Sequence, residues 1–367
     1  MINVFGSKVG KEELDEIKTS IEAQWLGIGK KTEIFESLIR DKIGNPFIAI
    51  DNCSNGLYMA LKILNLPKGS DVIVPTITWI SCANAVITAG YRPIFADCDY
   101  ETINVTNETL EKVKTRKTRC AIIVHYAGFP CLAGSYLGVP VIADCAHAID
   151  SYVSDMHVNY WHDINVYSFD SMKNIACGEL GGISSFNQSF IETAKALRYC
   201  GIEKSGLQAA ADKTRWWEYQ CHIPFIKMLP NDISSSIGIA QFKKLDSLQK
   251  IRKRIWNIYK EQLSCIGWIL NPPEIPKGIK HSYFTYYIRV LNGRRDELAK
   301  YLLDKGIYTT VRYQPLHLMK CFGSKQKLPI SEKLNEQLLN IPLHPNLTDK
   351  NLEYIIDSIK KFKGLKK

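Results

Sequence analysis

Six short apolar runs, most of them rich in β-branched residues, punctuate the first half of the chain: Phe47-Ile48-Ala49-Ile50, Val72-Ile73-Val74, Pro93-Ile94-Phe95-Ala96, Ala121-Ile122-Ile123-Val124, Val141-Ile142-Ala143 and Ile164-Asn165-Val166-Tyr167. Runs without polar alternation predict strands buried on both faces, as a parallel sheet covered by helices requires. Helical patterns separate them. The pattern Leu57-Tyr58-Met59-Ala60-Leu61-Lys62-Ile63-Leu64 should stop near Pro67-Lys68-Gly69, which closes one strand–helix–strand unit. From Asp232 to about Leu263, apolar residues at Ile233, Ile237, Ala240, Leu245, Leu248, Ile251 and Ile255 recur every three or four positions, predicting a long helix or helix pair that bridges two domains. Beyond a Pro-rich linker at 270–278 come strand-like 286–290, helix-like 295–305, strand-like 307–313 and a closing helix over 349–362. The expected fold class is α/β: a large domain over 1–245 with a mostly parallel central sheet covered by helices, and a smaller α+β domain over 246–367.

Composition narrows the classes. The 367 residues are 46% hydrophobic and 23% charged, values of a globular protein and not of a disordered or fibrous one. Half of the formal charge of +10 comes from Lys360, Lys361, Lys363, Lys366 and Lys367, and no Lys/Arg stripe interleaved with aromatics runs elsewhere. The mildly basic remainder suits an anionic small ligand, and neither nucleic acid nor membrane is an expected partner. The eleven cysteines form no CxxC pair and no Cys/His ligand cluster, which predicts reduced thiols and no metal site. No export signal and no run near 18 apolar residues is present, so the expected location is the cytoplasm.

Ligands of open parallel sheets gather at the carboxyl ends of strands. After the first run comes Asp51-Asn52-Cys53-Ser54-Asn55-Gly56 leading into a helix, a turn that can hold a phosphate or in which Ser54 or Asn55 simply caps the helix. Asp144 follows the fifth run, as a buried partner for a cation or as a helix cap. The sixth run leads to Ser168 and then Lys173, a residue type usually solvated. The combination changes the balance. A phosphate turn, the aromatic loop Thr76-Ile77-Thr78-Trp79, a strand-end carboxylate and a lysine beside a hydroxyl are the parts that pyridoxal phosphate needs.

Over nearly its whole length the sequence resembles the sugar aminotransferases of the DegT/DnrJ/EryC1/StrS group, which have the fold type I, aspartate aminotransferase-like architecture. The segments that carry the resemblance are Trp25 to Lys30, Asp71 to Trp79, Val124-His125-Tyr126-Ala127-Gly128, Asp144-Cys145-Ala146-His147-Ala148, Ser168 to Glu179, Ile237 to Gln241, Tyr313-Gln314-Pro315-Leu316-His317 and Ile341 to Pro345. It implies a homodimeric enzyme using pyridoxal 5'-phosphate, with Lys173 as Schiff-base lysine and general acid/base and Asp144 as partner of the pyridinium nitrogen. Trp79 would stack on the ring, His147 reach its phenolic oxygen where many relatives have glutamine, and Ser54, Asn55 and Ser168 hold the phosphate. Lys227 would complete the phosphate cup of the neighbouring subunit, although Phe225 replaces the glycine that usually opens that stretch. Leu180, in place of a glycine expected after Glu179, and Phe129, where a polar residue is common, also depart from the family pattern, with an expected effect on the substrate pocket and not on the cofactor.

The resemblance further implies a nucleotide-linked keto-sugar as acceptor and L-glutamate as donor. Lys173 stands where related sugar 3-dehydratases have histidine, which favours transamination. Thr78-Trp79, His125 to Gly128 and Ala146 to Ala148 resemble members acting on 4-keto-6-deoxyhexoses; amination at C3, or of a cyclitol, is the alternative, and a non-catalytic regulator on the same fold the alternative of another class. Tyr283, Arg312, Tyr313 and His317 are the expected substrate contacts.

Overall fold

The computed structural model describes residues 1–202, 215, 217, 218, 220, 221 and 223–363. Each of the six apolar runs is a strand: β1 (Phe47–Ile50), β2 (Asp71–Pro75), β3 (Arg92–Ala96), β4 (Thr118–Val124) and β5 (Val141–Asp144), then, beyond a small ribbon of β6 (Tyr152–Val153) and β7 (Met156–His157), β8 (Ile164–Ser168). A seventh, β9 (Gly181–Ser184), completes a sheet in the order β1-β9-β8-β5-β4-β2-β3. β9 runs antiparallel to both of its neighbours, while β8, β5, β4, β2 and β3 pair in parallel. β9 thereby joins β1 to the five parallel strands, a strand that apolar patterning did not reveal.

Alternation along the strands divides the interior into two layers. Ile73, Ala121, Ile123 and Ala143 face Phe35, Ile39 and Tyr167 on one side, while Val72, Val74, Ile122 and Ile142 face Leu57, Ala60 and Leu61 on the other. The helix Cys53–Leu64 belongs to the second layer and ends at Asn65 in the left-handed region (φ 43°), before the expected proline turn.

The segment Asp232–Leu263 is a single 32-residue helix. Ile239 and Leu245 on its first half join the core beneath the large sheet, whereas Ile255, Trp256, Tyr259 and Leu263 on its second half join a separate core. That second core is covered by β10 (Ile269–Leu270), β12 (Tyr286–Val290) and β13 (Leu338–Ile341), and by the helices Arg295–Asp304 and Asp349–Lys361. β11 (Ile279–Lys280) pairs instead with β6. The strand-like stretch 307–313 forms isolated bridges only, Ile307 with Ile2 and Thr310 with Asn340, so the amino terminus is tied to the smaller unit. No described helix is long and apolar enough to cross a membrane. All eleven cysteines are free, and no metal-binding group of His, Cys, Asp or Glu occurs among the described residues. Lys366 and Lys367 lie outside the described residues.

Candidate active site

Asp144 ends β5 in the middle of the sheet, between β4 and β8, and is 5% exposed. Its Oδ1 accepts the Ala146 N–H at 2.9 Å and its Oδ2 the Cys82 S–H at 3.4 Å. Burial pushes its pKa up, against these two donors and the positive charge of Lys173. Lys173 itself is half-buried in the turn after β8. Burial first, and then the Arg312 guanidinium, bring its pKa down from 10.5 to about 8, while Asp144 acts in the opposite sense. The amine lies 4.8 Å from the centre of the Phe284 ring.

His147, one turn beyond Asp144, stacks on that same Phe284 ring with centroids 3.9 Å apart. Its Nε2 lies 3.3 Å from the Tyr313 hydroxyl, which also accepts from Arg312 Nη1 at 3.0 Å. The hydroxyl proton is therefore free to point at Nε2, which assigns the imidazole proton to Nδ1. Burial, then the charges of Lys173 and Arg312, hold His147 well below the usual histidine range, so the ring is neutral. Nδ1 is buried and has no partner, a donor without an acceptor. Trp79 remains 56% exposed at the mouth, its ring 5.7 Å from Tyr313.

At the end of β1 the helix Cys53–Leu64 is capped by Asn52, whose side chain accepts the Asn55 N–H at 2.9 Å, not by Ser54 or Asn55. Asn55 donates its side-chain amide to Asp51 at 2.6 Å. The Ser54 hydroxyl is 2.7 Å from that of Ser81, the first residue of the helix Ser81–Thr88, so two helix starts meet there. Gly181 on β9 completes the cradle: a Cβ would run into the backbone of Asn52 and Cys53. Ser168 ends β8 with its hydroxyl accepting from the Asp170 N–H at 3.4 Å.

Lys173, Asp144, His147, Trp79, Arg312 and Tyr313 thus share one recess. Other expected residues are engaged elsewhere. His317 is buried between Thr76, 2.7 Å from its Nδ1, and Glu332; Tyr283 turns to Trp256 and His281. Lys227 is exposed, one residue before Met228, whose carbonyl accepts the Asp51 N–H at 3.1 Å. Sequence reasoning missed Phe284, Cys82 and Phe5, on which Arg312 stacks with Cζ 3.6 Å from the ring centre. Cys82 carries a weak local signal, four residues after Thr78 and 3.2 Å from its hydroxyl, but Phe5 and Phe284 carry none.

An orphaned imidazole donor, a buried strand-end carboxylate, an amine with a lowered pKa and a cradle that Gly181 keeps open fit a planar pyridine carrying a phosphate, a phenolic oxygen and an aldehyde. Fold and recess together define the class of pyridoxal phosphate-dependent enzymes of fold type I. Comparison with known families matches residues 7–360 to the DegT/DnrJ/EryC1/StrS aminotransferase family. The chain belongs to that family and is an aminotransferase that uses pyridoxal phosphate. It is 30% identical, over 98% of its own length and 96% of the relative's, to dTDP-4-dehydro-2,3,6-trideoxy-D-glucose 4-aminotransferase of Saccharopolyspora spinosa. Among solved structures it is similar to an aminotransferase, TlmJ, from Streptoalloteichus hindustanus, with 31% identity, a TM-score of 0.93 and 98% of each chain covered. PseC of Helicobacter pylori shares the fold at 20% identity, with a TM-score of 0.91 and 98% of each chain covered.

Proposed function

We propose that the chain transfers the amino group of L-glutamate to the keto carbon of a nucleotide-linked sugar, a 4-keto-6-deoxyhexose, with Lys173 and Asp144 as the catalytic pair. The observation that carries this reading is the Lys173 amine, lowered to a pKa of about 8 in the recess that also holds the Asp144 carboxylate. When bound, pyridoxal phosphate supplies an electron sink for the charge that develops at the donor's α-carbon. Lys173 would take the proton from that carbon and hold it for return, work that suits an amine titrating near neutrality. Asp144 would hold the proton of the pyridine nitrogen, and the His147 Nδ1–H would be the donor to the phenolic oxygen. Ser54, Asn55 and Ser168, with the N–H groups at the start of Cys53–Leu64, would take the phosphate, and Trp79 would cover the ring.

Support for a 4-keto acceptor comes from the activity named for the Saccharopolyspora relative and from the Thr78-Trp79, His125 to Gly128 and Ala146 to Ala148 segments. The basic body of the chain favours the diphosphate of such a substrate. We divide the chain at 245/246, within the helix that serves both cores. We also assign it a homodimeric state in which Lys227 reaches the neighbouring subunit's phosphate site; a monomer that remained fully active would overturn that assignment.

The test is a visible absorption spectrum of the purified protein before and after L-glutamate, beside Lys173→Ala. The expected result is a yellow band in the wild type that bleaches with glutamate, and neither in the variant. A protein that stays colourless with added pyridoxal phosphate would overturn the reading. Supplying 4-keto and 3-keto nucleotide-linked 6-deoxyhexoses to the bleached enzyme, and following return of the colour, separates amination at C4 from amination at C3.

A further inference from the structure

The chemistry of His147 depends on where its proton sits. A neutral imidazole holds it on Nδ1 or on Nε2, and the nitrogen that faces a ligand is then a donor or an acceptor. Phe284 stacks on the ring at an interplanar angle of 13°, and Tyr126 stands edge-on with centroids 6.4 Å apart, so the plane is held from two sides. Besides Asp144 on its own segment, the titratable and charged groups around it are His125 and Tyr126 after β4, Lys173 after β8, and Arg312 and Tyr313 from the smaller unit. Lys173 and Arg312 are cations and oppose a third, which leaves the two neutral forms.

Tyr313 separates these two. Its hydroxyl lies 3.3 Å from Nε2 and accepts Arg312 Nη1 at 3.0 Å, and among the described residues no other group bonds to it. Arginine has only protons to give, so the phenol's own proton is left for Nε2. Burial pushes the phenol pKa up, which keeps that proton on the oxygen. Were Nε2 protonated instead, the phenol proton would have no acceptor. The backbone under the hydroxyl is pinned as well: the Arg312 N–H donates to Asn340 Oδ1 on β13 at 2.8 Å, and the Arg312 carbonyl accepts the Tyr126 hydroxyl.

We propose that Tyr313 is a positioning residue for the cofactor: its hydroxyl holds His147 in the form protonated on Nδ1, so that a donor meets the phenolic oxygen. The inference rests on the reading of His147 given above. A histidine without that partner can turn a lone pair to the oxygen, whereas a glutamine carries donor and acceptor on one amide and needs no such partner. A donor at the phenolic oxygen favours its anion, and so lowers the pH at which the visible band of the bound cofactor changes.

The test titrates the visible spectrum with pH in the holoenzymes of wild type, Tyr313→Phe, His147→Phe, His147→Gln and the double variant Tyr313→Phe/His147→Gln. Tyr313→Phe is expected to raise the midpoint by about 0.5–1 pH unit, the worth of one hydrogen bond, and His147→Phe to raise it at least as far. In the His147→Gln background the tyrosine substitution should add nothing. Nitrogen NMR of labelled histidine in the apoproteins reads the proton directly, with the His147 signals assigned by their loss in His147→Phe. The wild type should carry the proton on Nδ1, and Tyr313→Phe should shift the population toward Nε2. The wild-type spectrum needs no variant at Tyr313, and it decides the point if Tyr313→Phe does not fold. A wild-type His147 protonated on Nε2, or a tyrosine effect that persists beside His147→Gln, overturns the inference. Equal midpoints for wild type and Tyr313→Phe, beside a raised one for His147→Phe, overturn the inference alone. A midpoint that His147→Phe leaves unchanged overturns the reading of His147 and this inference with it.

Discussion

Burial acts on single groups in the recess before any substrate enters. At Lys173, desolvation and the neighbouring Arg312 favour the neutral amine, so a nucleophile exists above pH 8, where an exposed lysine would still be charged. Uptake of pyridoxal phosphate by the apoprotein should accordingly accelerate as pH rises, with a midpoint at about 8 and not 10.5, in a stopped-flow absorbance experiment. At Asp144 burial pushes the carboxyl pKa up, and the Cys82 S–H is one of two donors that act against that shift. Cys82→Ala should weaken cofactor affinity by roughly 3- to 10-fold, the worth of one hydrogen bond of about 1 kcal/mol, and Cys82→Ser should restore it. Equilibrium dialysis of the cofactor reads both. Asp144 was visible in the sequence because it directly follows an apolar run, and Lys173 through its combination with the other parts and the family resemblance. Phe284 was not: its place against His147 and Lys173 depends on how the smaller unit docks, and nothing adjacent in the chain announces it.

Single elements show where apolar patterning succeeds and where it fails. Six strands are legible because a strand buried on both faces needs an unbroken apolar run. β9 escaped because two of its four residues are glycine, and the reason is steric. A Cβ on Gly182 would overlap the Phe47 ring, which is itself locked among Phe35, Tyr167 and Phe169; a Cβ on Gly181 would strike the start of the Cys53–Leu64 helix. Gly182→Ala should therefore destabilise the fold by about 1–3 kcal/mol as an overpacked core position, read as a lower melting temperature. Gly181→Ala should in addition weaken cofactor binding, because it moves the helix start whose N–H groups are proposed to take the phosphate. Asn52, not Ser54 or Asn55, caps that helix, and the choice among these nearby polar residues depended on which backbone bent into the extended region.

Across the whole molecule, the interior contains histidines that are kept neutral. Burial brings His157 and His162 down to about 4 and His281 to about 3, and holds His125 well below the usual range. In the unfolded chain each titrates near 6.5, so between that value and about 4 the unfolded state binds protons that the native state refuses. Stability is therefore full above pH 6.5 and falls as the pH drops toward 4, by roughly 2 kcal/mol per histidine at pH 5. A urea midpoint clearly lower at pH 5 than at pH 7.5 is the expected measurement. A midpoint unchanged over that interval would mean that these rings find donors or water on protonation.

What the sequence determined by itself is the part of this protein governed by local rules. Strand burial dictated the apolar runs, helical periodicity the bridging helix, and the carboxyl ends of the strands the places where Asp144, Ser168 and Lys173 could meet a ligand. Tertiary structure decided what depends on neighbours distant in the chain. It seated Phe5 and Phe284 around Arg312, left the His147 Nδ1 proton without an acceptor, turned His317 to Thr76 and Glu332, and lowered the lysine amine. Desolvation and charge repulsion act through space, so residue type and spacing alone do not carry them.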